Sequence, residues 1–146
     1  MASCISYQDQ FFFVSNQRFS SLIEFGIEVG RRSAETATEK SYLSGLKERS
    51  DAFYPGYDLA IEREFPCREE RKFWARVFFD LAYLIFRREI GNQAVTFWQY
   101  SAVGDACLLG RMITRSVQEE EQGWHPKTMA SVEADTFYQK GVNVRL

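Results

Sequence analysis

The chain has 146 residues, 45% of them hydrophobic and 26% charged, with a formal net charge of −2. A length of this order supports one core and not two, and the composition excludes a wholly disordered chain. The slightly acidic balance argues against a whole-domain electrostatic grip on nucleic acid.

The start, MASCISYQDQFFFV, has no basic segment, and its one apolar run is Phe11 to Val14. A secretory signal needs a charged start and a longer apolar stretch, so none is predicted. No window nears the ~18 apolar residues of a membrane span. Cys4, Cys67 and Cys107 are odd in number and widely spaced, with no CxxC pair. Reduced thiols in a cytoplasmic protein are the expectation.

Taken in chain order, a first helix is predicted from about Asp9 to Arg32, where Phe12, Phe19, Ile23 and Gly26 recur at helical spacing. Gly26 and Gly30 share one face of it, which points to close approach of a neighbouring helix or to a homodimer contact. A second helix starts near Thr36, where Thr36 and Glu39 have the capping-box form, and ends before Tyr54-Pro55-Gly56. A short helical turn is expected between Tyr57 and Phe65. The third helix follows Pro66, carries Glu69 and Glu70 in its first turn and is apolar nearly all round, the mark of a central helix. The fourth begins at about Asn92 and runs to Gln122, about 45 Å at 1.5 Å per residue. Past Gly123 the periodicity weakens. A short helix over Met129 to Gln139 and an extended stretch from Val142 to Leu146 are expected.

The predicted fold is therefore all-α: a single domain over 1–146, a bundle of four to six helices with a long central antiparallel hairpin (about 66–90 and 92–122). No metal or cofactor is predicted. The only histidine is His125, which excludes a multi-histidine zinc centre and a helical di-iron site. Neither GxSxG nor a glycine-rich phosphate loop is present, and no catalytic residue is assigned.

Two groups of residues stand out. Asp80 interrupts the most apolar helix, and Asp105 lies at the edge of the next inner stripe. A buried carboxylate needs a partner. Asp80, Asp105, Arg76, Arg111 and Trp98 are thus expected to form a buried polar network or to line a pocket. The second group is the run Glu119-Glu120-Glu121. It sits near a helix C-terminus, where negative charge is disfavoured, and Arg115 is placed to pair with Glu119 at i,i+4. From Val117 to Thr136 there are five acids and one base. Glu119, Glu120, Glu121, Glu133 and Asp135, with Trp124, His125 and Tyr138 as anchors, make a candidate partner-binding surface. Arginine outnumbers lysine 13 to 5, but glutamates are interleaved with the arginine clusters and nucleic acid is not an expected partner.

In size, helical class and acidic aromatic-bearing end, the chain resembles the small acidic antagonists that bacteria keep in the cytoplasm against toxins. No diagnostic motif carries that likeness. It implies a non-enzymatic protein-binding module, most sharply an immunity protein that occludes the active site of a basic toxin domain. The alternative is a small-molecule-binding helical sensor or minor enzyme with an aromatic pocket between the two central helices.

Overall fold

The computed structural model describes residues 2–53, 57–87, 89 and 97–121, with the backbone alone for 97–100. It is mostly helical, but the all-α expectation is overturned by a three-stranded mixed sheet. Strands β1 (Ala2–Tyr7) and β2 (Gln10–Ser15) form an antiparallel hairpin that ends with Tyr7 opposite Gln10. Gln8 turns the chain at φ 56°, the left-handed conformation that matches strand twist at the first position of a two-residue loop. Strand β3 (Asp58–Ala60) lies parallel to β1 on its other side, Ile5 opposite Leu59. The sheet order is β2-β1-β3.

Residues of the hairpin alternate strictly. Ser3, Ile5, Tyr7, Gln10, Phe12 and Val14 are buried on the helix side. Phe11 and Phe13 stand on the other face, 50% and 43% exposed. An apolar run with aromatics on both faces hides its period of two, which is why Phe12 reads as the start of a helical stripe. The first helix, α1, covers only Asn16–Ser33 and is capped by the Ser15 hydroxyl, which accepts from Arg18 N–H.

Helix α2 (Ala37–Ser50) starts with the capping box expected at Thr36 and Glu39. A single turn, α3 (Ile61–Glu64), follows β3. Helices α4 (Arg68–Phe86) and α5 (Phe97–Glu121) are antiparallel: the start of α4 at Arg68 and Arg71 meets the end of α5 at Glu121 and Glu120. The connection at Gly91-Asn92 lies outside the described residues. One core joins the inner sheet face to α1, α4 and α5, with Ile5, Phe12, Trp74, Phe78, Leu109 and Ile113 wholly buried.

Gly26 and Gly30 are used inside the fold, where they admit close neighbours. A Cβ at Gly26 would lie 2.6 Å from Cε1 of Phe78, and one at Gly30 would lie 2.6 Å from Cδ2 of Leu43. Phe78 is a wholly buried ring, whereas Leu43 sits at the edge of the core. Alanine gains roughly 1 kcal/mol of helix propensity at either site, against an overpacking cost of about 1–3 kcal/mol. Gly26→Ala is therefore expected to lower stability by about 1 kcal/mol, and Gly30→Ala to be close to neutral. Urea titration of the two variants measures the contrast.

Candidate functional site

Three places combine the residues singled out above with unusual exposure or burial. The first is the corner where the β1–β2 turn, the start of α4 and the end of α5 meet. There the acidic run faces its own chain. Glu119 accepts from Arg115 Nε at 3.1 Å, Glu120 pairs with Arg71, and Glu121 pairs with Arg68. These carboxylates oppose the dipole of α5 but lie against the N-terminus of α4, where negative charge is favoured. Three arginines offset three glutamates, so the run presents far less net charge than its sequence implies.

Arg71 organises this corner. It is buried, and its Nη1 donates to the carbonyls of Phe65 at 2.9 Å and Pro66 at 3.1 Å. A cleft of about 400 Å³ opens beside it, lined by Tyr7, Gln8, Glu62, Pro66, Arg71, Ser116 and Glu120. Burial and the neighbouring Glu119 carboxylate push the Tyr7 phenol well above its usual range. Among the described residues, Oε1 of Gln8 and Nε of Arg71 in the cleft wall have no hydrogen-bond partner, and neither do Nε of Arg68 and both amide atoms of Gln10 outside its lining. Gln10 is only 1% exposed. Buried polar atoms are normally paired, so this concentration is unusual. Trp124, His125, Glu133, Asp135 and Tyr138 lie outside the described residues, so the corner is described through the glutamates alone.

The second place is a buried ion pair. Asp105 is 1% exposed, as its position in the sequence implies, but its clamp is Arg18. Nε and Nη2 of Arg18 donate to the two carboxylate oxygens at 2.9 and 2.6 Å, tying the start of α1 to α5. The other described residues expected around Asp105 are not buried beside it. Asp80 is exposed and Arg111 is exposed. Arg76 pairs with Glu39 of α2 at 2.9 Å. Backbone N–H of Glu35, the Arg76 guanidinium and backbone N–H of Thr36 hold the Glu39 carboxyl below the usual range. The side chain of Trp98 lies outside the described residues. Of the aromatics expected to line an interhelical pocket, Trp74 and Phe78 are wholly buried in the core and Tyr83 faces solvent, while the side chain of Tyr100, like that of Trp98, lies outside the described residues.

The third place is a strip along α4. Phe79, Tyr83 and Phe86 follow one another at i, i+4 and i+7 and are 39%, 56% and 68% exposed. A helix apolar nearly all round is expected to be buried on every side, and these three rings depart from that expectation. Their signal in the sequence was Asp80, an acid beside the strip that would not be tolerated unpaired in a core. Asp80 has no ion-pair partner among the described residues, whereas Arg87 lies over the Tyr83 ring and pairs with Glu89 at 3.4 Å.

Among the described residues, no group of three or more His, Cys, Asp or Glu is placed to hold a metal ion. No described helix is long and apolar enough to cross a membrane. Backbone N–H groups of Glu70 and Glu69 lower the pKa of Cys67 at the start of α4. Burial raises that of Cys4 to about 11, aided by Asp58. The histidine that a thiol or hydroxyl nucleophile would recruit, His125, lies outside the described residues. Set against known families, curated proteins and solved structures, the chain matches no family model, no curated protein and no solved structure.

Proposed function

We propose that the protein is a non-enzymatic, cytoplasmic protein-binding module, and in its sharpest form an immunity protein that neutralises a basic toxin domain by covering its active site. The observation that carries this reading is the strip of Phe79, Tyr83 and Phe86 on α4. Contiguous exposed aromatic surface on a small domain marks a recognition site, and Tyr and Phe are typical interface residues. Beside the strip, Asp80 has no ion-pair partner among the described residues, and Arg76 and Arg87 pair with Glu39 and Glu89. An apolar patch with a carboxylate beside it suits a partner presenting an apolar surface with a basic group.

The test is co-expression with the product of the neighbouring reading frame. Wild-type protein is expected to restore growth and to form a 1:1 complex. The double variant Tyr83→Ser/Phe86→Ser is expected to bind at least ~10-fold more weakly, with an unchanged melting temperature. A neighbouring product that is harmless, or equal protection by the variant, would overturn the reading.

A further inference from the structure

We propose that the corner cleft is a binding site for a cationic, N–H-rich group, specifically the guanidinium of an arginyl residue. This goes beyond the partner-binding strip on α4 and stands on different residues. The cleft, at about 400 Å³, lies within the range of small-ligand sites. Its walls carry the carboxylates of Glu62 and Glu120 against the single guanidinium of Arg71. Arg71 presents little positive charge to the cleft, because it is turned onto the carbonyls of Phe65 and Pro66 and onto Glu120. An anionic ligand is therefore disfavoured.

Hydrogen-bonding groups point the same way. Oε1 of Gln8, in the cleft wall, is buried and has no partner among the described residues. A buried acceptor without a donor is costly, and a guanidinium offers five N–H donors in one planar fork that satisfies several acceptors together. The Tyr7 ring supplies an aromatic wall of the kind that attracts a cation. Nε of Arg71 lacks an acceptor among the described residues, and the carbonyl of an arginyl residue provides one. A lysine ammonium, with three donors on a point charge, satisfies this set less well.

Titration of the full chain with Nα-acetyl-arginine amide, followed by NMR shifts and by melting temperature, is the direct test. Saturable binding is expected at the residues of the cleft. The neutral isostere Nα-acetyl-citrulline amide is expected to bind about tenfold more weakly, the loss of one charge-assisted contact. Glu62→Gln combined with Gln8→Met should weaken arginine binding by a similar factor. A glycyl-arginyl-glycine amide that binds more tightly than the capped residue identifies a polypeptide as the source of the group; equal binding identifies a free small molecule. Absence of saturable binding, citrulline binding as well as arginine, or an unaffected double variant would each overturn the proposal. None of these measurements involves a toxin, so their failure is separate from failure of the partner-binding reading.

Discussion

Arg18→Met is expected to cost about 3 kcal/mol of stability, because it leaves a buried carboxylate without its bidentate partner. Asp105 is 1% exposed, so the charge cannot turn to water, while Arg18 is partly exposed and leaves the site easily. For a chain of this length that loss corresponds to roughly a 10 °C fall in melting temperature. Arg18→Lys keeps the charge but loses the two-pronged geometry of 2.9 and 2.6 Å bonds, and should fall in between. The double variant Arg18→Met/Asp105→Leu removes the stranded charge together with its partner. It is expected to be more stable than Arg18→Met alone. Denaturant melts of the single and double variants form the cycle. A cost below about 0.5 kcal/mol for Arg18→Met, the range of ordinary surface changes, would show that the clamp does not hold α1 to α5.

Arg71→Met is the second large effect, expected at about 3 kcal/mol. Its guanidinium serves the carbonyls of Phe65 and Pro66, both at the joint between α3 and α4, as well as the carboxylate of Glu120. Removing it leaves the buried Phe65 carbonyl without this donor, and the part-buried Pro66 carbonyl and half-exposed Glu120 lose theirs as well. By contrast, Glu120→Gln and Glu121→Gln together should cost about 1 kcal/mol or less, because both carboxylates are about half exposed and exposed pairs contribute little. The smaller cost should shrink further in high salt, whereas that of Arg71→Met should persist. Melting curves at low and high salt separate the two. If the glutamate changes matter as much as Arg71, the corner is held by the acidic run and not by the buried arginine.

Local signals in the sequence were legible where the interaction closes within one turn. Thr36 and Glu39 are three residues apart, and their capping box is in place. The inner stripe of α4, from Phe73 to Ile85, is buried as its spacing implies. The pair Arg115–Glu119, at i,i+4, is formed. What escaped is held together by distant parts of the chain. The turn at Gln8-Asp9 has none of the usual turn dipeptides, and β3 is three residues whose pairing to β1 spans more than fifty positions. Asp105 was recognisable as a buried acid, but its partner lies 87 residues away, beyond any periodic pattern. Asp80 was misplaced for another reason: an exposed aromatic strip and a buried one look alike in a one-dimensional pattern, so α4 read as buried on every side.

The earliest of the described strands is also the middle strand of the sheet, and that ordering has a consequence during synthesis. The β1–β2 hairpin can close as soon as residue 15 has emerged, yet its parallel neighbour begins at Asp58 and its clamp to the far helix waits for Asp105. At translation rates of about 5–20 residues per second, several seconds separate these events. During that interval Phe12, the one ring of the Phe11–Phe13 run that folding buries, has no helical roof over it, and it is in this window that a chaperone would find its strongest claim on the polypeptide.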